Sequence, residues 1–104
     1  MKIIITKFYP DEFTVNNYSF KCEVTPNARG MRVKIKDNSK SFLKRTIFRK
    51  YYFLIIPFVS VDTIYTWLEK AIINKLDTMN DLTNEQKNLI VIRIRQYFMV
   101  NIRL

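Results

Sequence analysis

The sequence predicts an α+β fold, in which a small antiparallel β-sheet from the N-terminal half packs against two C-terminal α-helices. Two stretches, 18–25 and 31–36, alternate apolar and polar residues as half-buried strands do. Two later stretches carry apolar residues at helical spacing. With 104 residues, 48% of them apolar, the chain can bury one core. We expect a single domain over 1–104 that is β-rich over 1–36, basic and ambiguous in pattern over 37–59, and helical over 60–104.

The first residues predict a strand and a hairpin. Ile3 to Ile5 form a short β-branched run, which is typical of a buried strand and should end before Pro10. Phe13 to Val15 then lead into Asn16 and Asn17, two residues that tolerate positive φ. We therefore expect a tight turn at the asparagines, with the next strand leaving at position 18.

The two alternating strands each predict one apolar face and one polar face. The apolar positions are Tyr18, Phe20, Cys22 and Val24 in the first strand and Met31, Val33 and Ile35 in the second. Between the strands, Pro26, Asn27 and the only glycine, Gly30, favour a turn. The polar face of the second strand should carry three cations, Arg32, Lys34 and Lys36.

The segment from Phe42 to Ile56 is ambiguous. Leu43, Ile47, Tyr51 and Ile55 recur at helical spacing, whereas residues 53–56 alone have the composition of a strand. We favour a short helix capped by Ser39 or Ser41, followed by an extended piece that ends at Pro57.

The C-terminal half predicts two helices. Ser60 is suited to cap the first, and Asp62 suits its positive N-terminal end. Thr83 and Gln86 have the spacing of a capping box before a second helix that runs to Leu104. The expected apolar stripes are Val61, Ile64, Tyr65, Leu68, Ile72 and Leu76 in the first helix and Ile90, Ile94, Tyr97 and Phe98 in the second. The alternation of residues 92–95 leaves a strand as the weaker alternative there.

Charge placement is the strongest functional signal in the sequence. The net charge is +9, and residues 29–50 hold nine cations against one acid, Asp37. The predicted binding residues are Arg29, Arg32, Lys34, Lys36, Lys40, Lys44, Arg45, Arg49 and Lys50. A stripe of such side chains can neutralise phosphates, so we expect a nucleic acid to bind without sequence specificity. The alternative is that these cations only solvate the surface of the protein.

Aromatic residues are interleaved with these cations. They are Phe42, Phe48, Tyr51 and Tyr52. An exposed ring among them could stack on an unpaired base. The alternative interpretation, which we favour at this point, is that all four belong to the core.

The second helix is apolar around most of its circumference. Such a helix is either deeply buried or partly covered by another chain. Its candidate interaction residues are Ile92, Arg93, Arg95 and Met99, which would dock a partner or form a homodimer. The helix carries three arginines, Arg93, Arg95 and Arg103, and for these the polar edge of a packing helix is a better interpretation than contact with a nucleic-acid groove.

The composition argues against an enzyme. There is no histidine, which removes the commonest general base and metal ligand, and a single glycine cannot form a phosphate-binding loop. The close carboxylates, Asp11 with Glu12 and Asp77 with Asp81, occur where turns normally expose acids. We therefore expect no catalytic residue, no metal and no cofactor.

The remaining expectations concern the cellular setting. One cysteine, Cys22, favours a reducing cytoplasm, and the longest apolar run is too short for stable membrane insertion. The abundance of Ile, Asn, Lys, Phe and Tyr is typical of AT-rich genomes, including phages and mobile elements, so the cytoplasm would be that of the host. Two further hypotheses are a stoichiometric inhibitor that binds a nucleic-acid enzyme of the host, and a structural component of a virion.

Overall fold

The computed structural model describes residues 4–5, 10–25, 30–54 and 56–103. An antiparallel sheet is formed, in sequence order, by β2 (Asp11–Val15), β3 (Tyr18–Thr25), β4 (Gly30–Asp37) and β5 (Thr46–Phe53). A separate antiparallel pair joins β1 (Ile4–Ile5) to β6 (Ile102–Arg103). Two helices, α1 (Val61–Leu76) and α2 (Asn84–Asn101), pack on one face of the four-stranded sheet. The predicted α+β class is confirmed.

The hairpin between β2 and β3 forms where the two asparagines predict it. Asn16 has a φ of 53°, and Val15 pairs with Tyr18 across the turn. Asn16 Nδ2 also donates to the Asp81 carbonyl at 3.0 Å, and the Tyr18 hydroxyl donates to the Asp81 carboxylate at 2.9 Å. The turn is therefore tied to the connection between the two helices.

The alternation in β3 and β4 defines the two faces of the sheet. Phe20, Cys22 and Val24 of β3 are buried under the helices. The same is true of Met31, Val33 and Ile35 of β4. The polar residues between them point to the opposite face because successive side chains of a strand alternate. Ile3, Pro26 and Asn27, which carry part of the predicted strand and turn, lie outside the described residues.

The segment after β4 differs from the prediction. Phe42–Lys44 forms only a single 3-10 turn, and the side chain of Ser41 makes no capping hydrogen bond. From Thr46 onward the chain is a strand, β5, paired antiparallel with β4 and with a bulge opposite Ile35 and Lys36. The predicted short helix was therefore wrong. A spacing of four places residues on one face of a helix, but also on one face of a strand, and the β-branched and aromatic content of this segment suits the strand.

Both helices begin as predicted. Ser60 Oγ accepts from the Thr63 amide at 3.2 Å. Thr83 Oγ1 accepts from the Gln86 amide at 3.1 Å, while Gln86 Oε1 accepts from the Thr83 amide at 2.9 Å, which completes the capping box. The second helix ends at Asn101 rather than Leu104, since Ile102 turns out to pair with β1.

The core lies between the sheet and the helices. Ile64, Leu68 and Ile72 of α1 are buried there, as are Ile94 and Phe98 of α2. Neither α1 nor α2 combines the length and the hydropathy that a membrane-spanning helix requires.

Candidate functional site

The sheet face turned away from the helices gathers cations from three neighbouring strands. Arg32, Lys34 and Lys36 of β4 all point to this face. The register places Lys34 between Lys21 of β3 and Arg49 of β5. Directly opposed residues of an antiparallel pair have Cβ atoms about 4.5–5.5 Å apart, so these side chains are neighbours. We call Lys21, Arg32, Lys34, Lys36 and Arg49 the basic face.

Two cations of the basic face are already paired within the protein. Arg32 forms a salt bridge with Glu23. Lys21 Nζ lies 3.7 Å from a carboxylate oxygen of Glu12 and 3.9 Å from one of Glu23.

The other three are not balanced in this way. In the part of the chain that the structure describes, no carboxylate forms a salt bridge with Lys34, Lys36 or Arg49. Three positive charges are thus grouped on one surface without a salt-bridging acid among the described residues.

The pKa of Lys34 is affected both by desolvation and by this grouping. Desolvation, followed by repulsion from four cationic neighbours, lowers the pKa of Lys34. The neighbours are Lys36, Arg32, Arg49 and Lys21, which are the other members of the basic face. A bound anion would relieve that repulsion and favour the charged form of Lys34.

The surface around these lysines is concave. A depression of about 260 Å³ lies over β2, β3 and β4, and three lysines and one acid line it: Lys21, Lys34, Lys36 and Glu12, whose carboxylate is the one near Lys21. Thr14 and Ser19 contribute hydroxyl groups to the same lining. Cationic and hydroxyl donors around one depression are suited to an oxyanion such as a phosphate.

Two aromatic residues extend the basic face along β5. Tyr51 is opposite Arg32 and Phe53 is opposite Gly30, so both rings lie on the same side as Arg49. Their centroids are 5.1 Å apart, in an edge-to-face arrangement. Phe48 and Tyr52 point to the other side and pack against the core.

The predicted binding residues are not all brought together. Lys50 follows Arg49 in β5 but lies opposite Val33, which belongs to the helix-covered face. Lys40 and Lys44 are exposed in the connection between β4 and β5. Arg45 is half-buried at the end of the 3-10 turn, and Arg29 lies outside the described residues.

One member of the basic face was missed from the sequence. Lys21 occupies the polar side of β3, between Ser19 and Glu23, and the register sets it directly opposite Lys34. The alternation of β3 was visible in the sequence, and combining it with the strand order would have found this residue.

The arginines of the candidate interaction helix make contacts inside the protein. Arg93 donates from Nε and from Nη2 to the two carboxylate oxygens of Asp11, each at 3.0 Å, and its guanidinium lies 4.3 Å from the centre of the Phe13 ring. Arg95 forms a salt bridge with Glu69 of α1. Ile92 and Met99 are 46% and 66% exposed. The arginines therefore fasten α2 to β2 and to α1, while the apolar pair faces outward.

A larger cavity lies beside the helices. It measures about 520 Å³ and is lined by Tyr65, Phe98 and the ion pair of Glu69 with Arg95, among others. The charged residues of its lining are Asp62 and this ion pair, so the cavity has no excess of positive charge, unlike the basic face. Within the described residues, no three His, Cys, Asp or Glu side chains are grouped to hold a metal ion.

No protein-family model, no curated protein and no solved structure matches this chain. The geometry and charge of the basic face are the grounds for the functional proposal.

Proposed function

We propose that this protein is a non-enzymatic binding protein that holds the phosphate backbone of a nucleic acid on its basic face. The observation that supports the proposal is the grouping of Lys34, Lys36 and Arg49 without a salt-bridging acid among the described residues. Cations that neutralise phosphates release condensed counterions, and this drives binding with little dependence on sequence. The setting that suits such a protein is the cytoplasm, where the buried thiol of Cys22 stays reduced.

Two adjacent residues of β5 offer a matched test. Arg49→Glu and Lys50→Glu change the net charge equally and lie one residue apart, but their side chains point to opposite faces of the sheet. We expect Arg49→Glu to weaken binding about tenfold more than Lys50→Glu, because only the first places a carboxylate at the phosphates. Fluorescence anisotropy with short labelled single-stranded and duplex DNA and RNA, over a salt series, measures both affinities.

The salt series gives a second reading of the same site. Three phosphate contacts predict that log affinity falls with log salt with a slope of roughly −2 for a single strand and about −3 for a duplex. Arg49→Glu should make the slope shallower by about 0.7 for a single strand and about 0.9 for a duplex, which corresponds to the loss of one phosphate contact. Lys50→Glu should leave the slope unchanged. Equal losses from both variants, or a slope near zero in the parent protein, would contradict the proposal.

A second candidate function is binding to another protein. It is favoured by the apolar residues that α2 exposes, Leu89, Ile92, Met99 and Val100, which are 46–66% accessible. In that case the basic face would occupy an acidic surface, as an inhibitor of a nucleic-acid enzyme would, or α2 would join copies of this chain. The salt series separates the candidates, since a protein that binds no nucleic acid even at low salt is left with the protein-binding role.

A further inference from the structure

One cation and two aromatic rings form a continuous row along β5. Arg49, Tyr51 and Phe53 are alternate residues of the strand, so their side chains leave the same face about 6.6–6.8 Å apart. Phe53, at the end of the row, is 55% exposed. The row therefore leads from Arg49 of the basic face to an accessible aromatic surface.

Gly30 opens the space in which these rings lie. It faces Phe53 across the β4–β5 pair, and a Cβ atom placed on Gly30 would be only 2.1 Å from the Tyr51 hydroxyl oxygen. Tyr51 thus lies across the glycine backbone, and no β4 side chain separates it from Phe53. The two rings form a patch beside Arg32 rather than isolated surface residues.

Such a patch has a specific use next to phosphate-binding cations. The π-face of an unpaired base stacks on an aromatic side chain, whereas the bases of a duplex are stacked on each other and inaccessible to it. Stacking depends little on base identity, which agrees with the absence of sequence readout in the proposed function.

We infer that the ligand of the basic face is a single-stranded nucleic acid, whose phosphates contact Lys34 and Arg49 and whose unpaired base stacks on Phe53. This inference rests on the proposed function and assigns its substrate class. Tyr51 supports the site by packing its ring edge to face against Phe53.

The test compares Phe53→Ala with Trp67→Ala. Trp67 is the matched control, because it is also a half-exposed aromatic, at 46%, but it belongs to α1 on the other side of the sheet. We expect Phe53→Ala to raise the Kd for short oligothymidylate and oligouridylate roughly 5- to 150-fold, and to leave the Kd for a duplex of the same length nearly unchanged. Trp67→Ala should change neither, and circular dichroism establishes that both variants are folded.

A second variant reports stacking directly. In a Phe53→Trp, Trp67→Phe protein the single indole lies at the proposed stacking position, so its emission should be quenched by oligothymidylate. Two outcomes would overturn the stacking assignment: an equal loss of single-strand and duplex affinity in Phe53→Ala, or an unchanged single-strand affinity with no quenching. Neither outcome would contradict the proposed binding of phosphates to the basic face. Failure of the parent protein to bind any of these probes at low salt would instead overturn the proposed function, and this inference with it.

Discussion

Gly30 shows how a single missing side chain arranges the surface around it. Glycine inside a strand is ordinarily unfavourable, since its backbone loses more freedom on folding and it has no side chain to pack. Here the ring of Tyr51 occupies the place that a Cβ would take, at 2.1 Å from the hydroxyl oxygen and 2.3 Å from the adjoining ring carbon. The φ angle of Gly30 is not positive, so position 30 requires glycine for space rather than for an unusual backbone conformation.

Gly30→Ala should therefore have opposite effects on the free energy of unfolding in the parent protein and in a Tyr51→Ala variant. In the parent protein the new methyl group displaces Tyr51, and we expect a loss of about 1 kcal/mol in the free energy of unfolding. In a Tyr51→Ala background the same change meets no ring and should stabilise by about 0.5 kcal/mol, the usual advantage of Ala over Gly. Urea denaturation of the four proteins of this cycle measures the coupling, and additive effects would show that the ring does not depend on the glycine.

The candidate site was only partly predictable from single residues. The run of cations was visible in the sequence, but the pleat of β5 sends Arg49 and Lys50 to opposite faces. The separation of Arg49 from Lys50 follows only if this segment is a strand, and the sequence pattern of residues 42–56 left helix and strand open. Lys21 lies far from the run in sequence and joins it only through the register of β3 with β4. Salt bridges then distinguish Arg32, which is paired with Glu23, from Lys34, which forms no salt bridge within the described part of the chain.

At the scale of elements, the start of α2 is joined to the first hairpin. The capping box of Thr83 and Gln86 is extended by Gln86 Nε2, which lies 3.4 Å from Asn16 Oδ1. Asn16 in turn donates to the Asp81 carbonyl. The helix cap, the helix connection and the turn between β2 and β3 thus form one hydrogen-bonded corner.

We expect Thr83→Ala to lower the free energy of unfolding by about 1 kcal/mol, because the Gln86 amide loses its acceptor. Thr66→Ala is the matched control. The Thr66 hydroxyl donates to the Asp62 carbonyl within α1 and caps nothing, so its replacement should be neutral or slightly stabilising. Thermal and urea unfolding measure both, and equal effects of the two variants would contradict the role of the cap.

Among the elements, β3, β4 and α1 were predicted from one clear period and α2 with the help of its capping box, whereas β5 was not predicted. In β3 and β4 every second residue is apolar, which only a strand explains, and in α1 the apolar residues follow the helical period over four turns. Tyr51 and Tyr52 are neighbours in β5, one on each face, so no simple apolar alternation marks this strand. Pairing with β4, which is a long-range interaction, decides its conformation.

At the scale of the whole molecule, burial holds protons on several acidic side chains. Desolvation raises the pKa of Cys22 to about 12, and the pKa values of Tyr18 and Tyr65 are also raised to about 12, chiefly by desolvation. In an unfolded chain a thiol titrates near 8.5 and a phenol near 10. The folded protein therefore binds more protons than the unfolded chain between these values and pH 12.

The contribution of these three groups to the free energy of unfolding should accordingly be constant up to about pH 8.5 and fall as the pH rises towards about 12. Cys22→Ala should abolish the decline between about pH 8.5 and 10, where only the thiol contributes among these three groups, and keep the decline above it. Urea denaturation over an alkaline pH series measures both curves. The slope is the relevant quantity, because the substitution also shortens a core side chain. If the free energy of unfolding of Cys22→Ala still declined between about pH 8.5 and 10, the decline would have to come from groups other than the thiol.

The placement of Arg49 and Lys50 has one more consequence, which concerns aggregation. Among the described residues β5 pairs on one side only, with β4, so its other side is a sheet edge of the kind that recruits strands from neighbouring molecules. Because these two cations point to opposite faces, a second copy that added itself to this edge would meet positive charge on both. Variants of the basic face should therefore keep a charged residue on each face of β5, because without these charges the exposed edge favours intermolecular strand pairing and aggregation.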